Sequence, residues 1–323
     1  MENLENRIDL SAFSGKVSDL KSGISNVIVG QEQAVDLILT AILADGHVLI
    51  EGPPGTAKTL IAKLIARLIH ADFSRIQFTP DLMPSDLLGT SVFNLQTSAF
   101  EFHKGPVFSE IILIDEINRA PAKTQAALFE VMEERQASID GHTHRMSDIY
   151  SIIATQNPIE QEGTYRLPEA QLDRFLMKII INYPTPEEEL SILARHHENI
   201  HLHKPDGIQP VLTGEELRTF RRLVAGVFAE PSLLRYISQI VVATRNSPAV
   251  YLGASPRASI ALLNASKAFA LLQGRDFITP EDIKYLAPSV LQHRLVLSAE
   301  TEMEGHSPAN ICKRLIEKVE VPK

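Results

Sequence analysis

Between residues 47 and 186 short aliphatic runs alternate with amphipathic stretches, the pattern of a parallel sheet covered by helices. The runs at 47–51, 73–78, 111–115, 150–155 and 177–182 predict five strands. After the first run, Leu60, Ile61, Leu64, Ile65 and Leu68 recur at helical spacing while Lys63 and Arg67 take the opposite face, so a helix follows directly. Two segments interrupt the rhythm as insertions. Residues 91–102 and 136–146 read as hairpins, the second with Asp140-Gly141 as its tight turn.

The pattern changes after Tyr183-Pro184-Thr185-Pro186, where two prolines close the last strand and Glu187, Glu188 and Glu189 suit a helix N-terminus. Beyond it, 213–229, 232–246, 255–272 and 279–291 all read as helices. The last opens on Thr279-Pro280-Glu281-Asp282, a cap followed by proline at the first helical position. The expected organisation is an α/β domain over 1–186 and a small all-helical domain over 187–323.

Composition agrees with two domains: 323 residues, 44% of them hydrophobic, are enough for two cores. With 31 Lys plus Arg against 40 Asp plus Glu, the net charge of −9 provides no global field for phosphate backbones or anionic lipid. A single cysteine, Cys312, excludes an intramolecular disulfide framework and a cysteine-based zinc cage and fits a reducing compartment. Residues 1–20 hold no continuous apolar segment of the signal-peptide kind, and the apolar stretches at 237–243 and 258–272 are broken by Gln239, Asn264 and Lys267. A cytoplasmic protein without direct membrane insertion is expected. The histidines of 196–203 have zinc-like spacing, but they fall at a predicted helix end running into a loop and read as a solvated polar segment.

The candidate chemistry lies at the ends of the predicted strands. Gly52-Pro53-Pro54-Gly55-Thr56-Ala57-Lys58-Thr59, with Leu60 continuing into the helix, sits between strand and helix, where backbone amides and a helix N-terminus cradle phosphates. Lys58 is expected to reach the β- and γ-phosphates of ATP and the Thr59 hydroxyl to ligate Mg²⁺. The strand at 111–115 ends in a carboxylate pair, Asp115 to hold Mg²⁺ and Glu116 to polarise the attacking water. Asn157, after the next strand, is placed to donate to the γ-phosphate or orient the water.

Taken in order along the chain, the loop at 52–59, Asp115-Glu116-Ile117-Asn118-Arg119-Ala120-Pro121 and Leu167-Pro168-Glu169-Ala170-Gln171-Leu172-Asp173-Arg174-Phe175 resemble the MoxR family of AAA+ ATPases. The resemblance runs from Val29-Gly30-Gln31, similar to the family's adenine-side motif, to Ser255-Pro256-Arg257 and Thr279-Pro280-Glu281-Asp282-Ile283. Ala57, where a glycine is usual, is the family's own variant. The resemblance implies an α/β fold of the phosphate-loop AAA+ type, a three-layer domain with a parallel sheet followed by a small all-helical lid. It implies Asn157 as sensor 1, Arg257 as sensor 2 on the lid, and Arg174 as an arginine finger directed at the neighbouring subunit's nucleotide, with Arg119, Arg135, Arg145 and Arg166 as competitors for that role. It also implies a ring, as a hexamer, with the two hairpins facing the pore or substrate.

The expected function is ATP hydrolysis with Mg²⁺, coupled to chaperone-like remodelling or maturation of a protein client, which the resemblance points to as a von Willebrand factor A domain protein. No nucleic-acid partner is expected. The alternatives are a nucleic-acid-translocating motor and a nucleotide-gated scaffold without turnover.

Overall fold

The structure, a computed structural model, describes residues 10–157, 165, 167–198 and 208–322. Two helices open the described chain, α1 (Ser11–Ser25) and α2 (Glu32–Leu43), followed by β1 (Val48–Glu51), α3 (Lys58–Leu68) and β2 (Phe73–Gln77). Then come α4 (Pro84–Leu88), β3 (Gly89–Asn94), β4 (Ala99–Lys104), β5 (Ile111–Asp115) and α5 (Ala122–Glu134). The first half closes with β6 (Gln136–Ile139), β7 (His142–Arg145), β8 (Ser151–Gln156), α6 (Glu169–Leu172) and β9 (Met177–Ile180).

Five of these strands form one parallel sheet in the order β2-β5-β8-β1-β9. Every residue of β5 is buried, as a strand covered by helices on both faces must be. The helices lie on both faces, so the three-layer α/β architecture is the observed one. Strands β3 and β4 pair with each other, as do β6 and β7, so both insertions are hairpins. Asp140 and Gly141 take φ of 50° and 78°, the left-handed pair that a two-residue hairpin turn requires.

After the sheet the chain continues through α7 (Pro186–His197), α8 (Gly214–Gly226), α9 (Pro231–Arg245), β10 (Val250–Leu252), α10 (Pro256–Leu272), α11 (Pro280–Leu291), β11 (Val296–Leu297), α12 (Ala299–Met303) and α13 (Pro308–Lys318), the helical part that holds the lid. Its helix starts are chemically specified. At α7 the Thr185 amide donates to Glu188 at 2.7 Å and the Glu188 amide donates to the Thr185 hydroxyl at 3.3 Å, with Pro186 in the first turn. The Thr279–Asp282 pair repeats this arrangement at α11. One detail departs from a purely helical lid: β10 and β11 form a short antiparallel ribbon.

Base and lid share one apolar core, which includes Ile38, Ile50, Leu64, Leu262 and Leu286. Phe13 of α1 meets Phe220 of α8 edge to face, with ring centroids 4.7 Å apart. The lid is also fastened to the base by a buried cation. Arg294, in a short 3₁₀ turn after α11, donates Nε to Asp173 Oδ1 at 2.6 Å and Nη2 to the Phe175 carbonyl at 2.8 Å. Beside it His293 Nε2 lies 2.9 Å from the same carbonyl, and Gln292 donates to the Lys178 carbonyl at 2.7 Å. The lid therefore docks on the segment that carries Arg174 and leads into β9.

Candidate active site

Strand register sets the geometry. Thr155 pairs with Ile50 and Ile114 with Ala154, so Asp115, Thr155 and Ile50 stand at one level across three neighbouring strands. Strands lie about 4.8 Å apart, which puts the C-terminal end of β5 about 10 Å from that of β1, with β8 between them. Lys58 and Thr59 after β1, Asp115 and Glu116 at the end of β5, and Asn157 just past β8 are thus gathered along one edge of the sheet.

The loop after β1 is pressed against the neighbouring strand segment. A Cβ built on Gly52 would lie 2.4 Å from the Ile181 carbonyl oxygen, a contact no side chain could make, so only glycine lets the backbone pass. Thr56 ties the loop by donating its hydroxyl to the Pro53 carbonyl at 2.9 Å, while Pro54 and Gly55 are exposed. Ala57 is the residue preceding α3 and takes φ 59° and ψ 16°, a left-handed conformation that side chains rarely adopt. Lys58 donates Nζ to the carbonyls of Gly52 at 2.6 Å and Pro53 at 3.0 Å, so its ammonium curls over the loop. Burial lowers its pKa below the usual lysine value, while Asp115 and Glu116 favour the charged form.

The carboxylates are held largely by residues to which sequence reasoning assigned no role, together with Arg119, a finger candidate. Arg75 of β2 pairs with Asp115 Oδ2 at 2.7 Å, and Thr155 donates to Asp115 Oδ1 at 3.2 Å. Glu116 has φ 58° and ψ 53°, a second left-handed non-glycine residue at this edge. Its carboxylate accepts from Gln77 at 2.9 Å and pairs with Arg119 at 3.1 Å. The available signal for Arg75 and Gln77 was their alternation along an edge strand, which puts both on the same side of β2.

These residues fit a magnesium nucleotide. Hydroxyl and carboxylate oxygens from Thr59 and Asp115 are the hard donors Mg²⁺ takes when phosphates supply the rest of its shell. The described residues contain no cluster of three or more His, Cys, Asp or Glu that would cage a metal alone. His201 and His203 lie outside the described residues.

Gly30 approaches the same edge from the other side. It has φ 70°, and a Cβ there would fall 2.7 Å from the Glu188 carboxylate. Gln31 donates to the Asn182 carbonyl at 3.0 Å, just past β9. A cleft of about 720 Å³ opens here, lined by Gln31, Asn182, Tyr183, Lys284, Tyr285 and Lys313.

Arg174 and Arg257 stand elsewhere. Met177 pairs with Val48, the first residue of β1, so Arg174 lies at the edge where the strands begin, and Val48 and Glu51 alone are separated by about 10 Å along the strand. Both guanidinium groups meet the last turn of α5: Arg257 Nη2 is 2.9 Å from Glu133 Oε1, and Arg174 Nε is 3.5 Å from Glu133 Oε2. Ser255 donates to Asp173 at 3.3 Å, which fixes the start of α10 beside the same segment. The structure therefore brings the two arginines to each other and not to Lys58. Among the competing arginines, Arg119 pairs with Glu116, Arg135 bonds Asp45 and the Tyr150 carbonyl, Arg145 is exposed on β7, and Arg166 lies outside the described residues.

Comparison with known proteins follows the same lines. Residues 47–177 match the ATPase family associated with various cellular activities (AAA), and residues 242–315 match the AAA lid domain. The chain is 44% identical to Chaperone MoxR1 of Mycobacterium tuberculosis, over 93% of this chain and 81% of that protein. It is 46% identical to the uncharacterized protein YeaC of Bacillus subtilis, over 97% of this chain and 96% of the relative. A solved structure from Cytophaga hutchinsonii is 40% identical, superposes with a TM-score of 0.89 and covers 97% of each chain.

Proposed function

Since the chain belongs to the MoxR family of AAA+ ATPases, and is accordingly an ATPase, we propose that it hydrolyses Mg-ATP at sites completed by a second copy of itself and uses the cycle to remodel or mature a protein client. One observation carries this reading: the candidate residues divide between opposite edges of a single sheet, with Lys58, Thr59, Asp115, Glu116 and Asn157 at one and Arg174 and Arg257 at the other. Arginines so far from their own phosphate loop act on a neighbour's. That requires a head-to-tail contact, which closes into a ring or runs on as a filament; the family resemblance implies a ring of six.

Within one site, the loop amides and Lys58 bind and orient the phosphates, and Thr59 and Asp115 would hold Mg²⁺, whose charge when bound draws electrons from the phosphoryl oxygens. Glu116 accepts a proton from the attacking water as Asn157 orients it. Groups of this kind contribute about 10² to 10⁴ in rate. The incoming Arg174, with Arg257 as sensor 2 beside it, stabilises the charge on the transferring phosphoryl group, worth about 10³ to 10⁵ in rate for a finger supplied in trans.

A protein client is favoured over a nucleic acid by the β3–β4 hairpin, where Val92, Phe93, Leu95 and Phe100 are exposed, Leu95 by 84%. An apolar tip suits an unfolded or loosely packed chain, whereas a phosphate backbone calls for a basic one. The family resemblance directs the search to clients carrying a von Willebrand factor A domain.

The test mixes two variants. Arg174→Ala and Glu116→Gln should each lose most turnover while still binding ATP, and mixing them should restore activity at interfaces that pair an intact Glu116 with an intact Arg174. If subunits exchange and the mixture stays inactive, the shared site is wrong. Strong stimulation of the wild-type ATPase by DNA at about 150 mM salt would instead favour the nucleic-acid motor.

A further inference from the structure

Glu133 belongs to none of the motifs that mark the nucleotide site, yet both arginines at the far edge converge on it. Its two carboxylate oxygens are divided between them, Oε1 at 2.9 Å from Arg257 Nη2 and Oε2 at 3.5 Å from Arg174 Nε. The three side chains come from α5, from the turn after α6 and from the first turn of α10 in the lid. Arg174 is further restrained by a bond from Nη1 to the Ala170 carbonyl at 3.1 Å and by the ring of Phe129, whose centroid is 6.0 Å from its guanidinium carbon. Phe129 lies four residues before Glu133, on the same helix face. Arg174 Nε is buried and makes no hydrogen bond among the described residues.

Stability does not account for this arrangement. The Glu133 side chain is 35% exposed and that of Arg257 61%, and ion pairs this open contribute little to folding. Two guanidinium groups brought together without a carboxylate would repel each other and sample many rotamers. With Glu133 between them the cluster keeps a net charge of +1, two cations against one anion, and the two guanidinium groups share one carboxylate.

We propose that Glu133 is a positioning residue which holds Arg174 and Arg257 as one cationic unit for the nucleotide phosphates of the neighbouring copy. The proposal rests on the reading of Arg174 and Arg257 as residues acting in trans. Orientation is the quantity at stake: reacting groups gain much of their rate advantage from being held in place, and a misplaced guanidinium loses it. Glu133 pairs with Arg174 and Arg257 at the far end of the strands from Lys58 and Asp115, so its effect should fall on turnover and not on the binding of ATP.

The experiment uses the full chain with Glu133→Gln and Glu133→Ala. Each should lower kcat at least tenfold, with Glu133→Ala the more severe, while KM for ATP stays within about twofold and the melting temperature is unchanged; tenfold in rate is about 1.4 kcal/mol of barrier. Mixed with Glu116→Gln, each should regain activity, as Arg174→Ala does in a parallel mixture. Wild-type kcat in both Glu133 variants overturns the proposal, and so does a rate loss that tracks a lowered melting temperature. If Arg174→Ala is rescued by Glu116→Gln and the Glu133 variants are not, Glu133 serves its own subunit and the proposal fails while the trans reading stands. If no mixture recovers although subunits exchange, the trans reading itself fails.

Discussion

Thr155 donates its hydroxyl to Asp115 Oδ1 over 3.2 Å, and the same hydroxyl oxygen accepts the Glu116 amide at 3.1 Å. One buried side chain on the central strand β8 therefore fixes both members of the carboxylate pair. The second bond matters more, because it secures the left-handed backbone of Glu116, a conformation that needs support from its surroundings. Thr155→Val keeps the shape and removes both bonds, leaving a backbone N–H without its partner at a cost of about 1–3 kcal/mol. We expect turnover to fall at least tenfold with ATP affinity within about twofold, and Thr155→Ser to retain most activity. Steady-state ATPase assays beside nucleotide titrations measure this; undiminished turnover in Thr155→Val would show that Glu116 is held by other contacts.

The phosphate loop makes opposite predictions at two neighbouring positions. Gly52→Ala drives a methyl to 2.4 Å from the Ile181 carbonyl, so loop or strand must move, at a cost of about 1–3 kcal/mol, and ATP affinity should drop. Ala57→Gly should instead relieve a left-handed alanine and stabilise the protein by about 1 kcal/mol while keeping ATP binding. Urea unfolding of the two variants should move in opposite directions, while nucleotide titration should weaken for Gly52→Ala and stay unchanged for Ala57→Gly.

Acid should weaken the fold through its buried histidines. The Ile152 amide donates to His47 Nδ1 at 3.0 Å, and burial, reinforced by the charges of Arg135 and Arg221 and only partly opposed by the Met132 carbonyl, lowers the His47 pKa to about 3. His293 is displaced in the same direction, by burial first and then by Arg294. Between pH 6.5 and 3 the unfolded chain takes up a proton at His47 that the native one refuses, so stability falls as pH drops through that window. His47 contributes about 1.4 kcal/mol per pH unit there. Unfolding free energies from urea titrations at pH 7.5 and 5.5 should differ by about 1.4 kcal/mol on account of His47 alone; equal values would contradict its neutral burial.

The sheet, the helix after its first strand, both hairpins and the helices from 213 to 291 are legible in the sequence because each is written over consecutive residues: a buried run such as Ile111–Asp115, a turn such as Asp140-Gly141, a cap such as Thr279 before Pro280. The grouping of Lys58, Asp115 and Asn157 is legible for the same reason, since each closes or follows a strand of one sheet. Contacts across the chain are not. Arg75 and Asp115 are 40 residues apart, and nothing local to either names the other. The ribbon of β10 and β11 escapes notice because strands of three and two residues carry no periodicity. For Arg257 the sequence specifies a helix N-terminus but not its pairing with Glu133, because that position depends on contacts such as Arg294 with Asp173, 121 residues apart.

Helix α5 starts three residues beyond Arg119, the partner of Glu116, and its last turn carries Glu133. Its 13 residues make a rod about 20 Å long. If the proposed ring closes, one end of each rod would lie beside Arg119, the partner of Glu116, in its own subunit, and the other would hold Arg174 and Arg257 toward the next. Such rods would string successive nucleotides into a loop of mechanical links, so that a small tilt in one subunit arrives at its neighbour as a displaced guanidinium pair. Firing order around the ring would then be a property of helix stiffness, and a kink cut into the middle of α5 would leave every pocket intact while putting the pockets out of step.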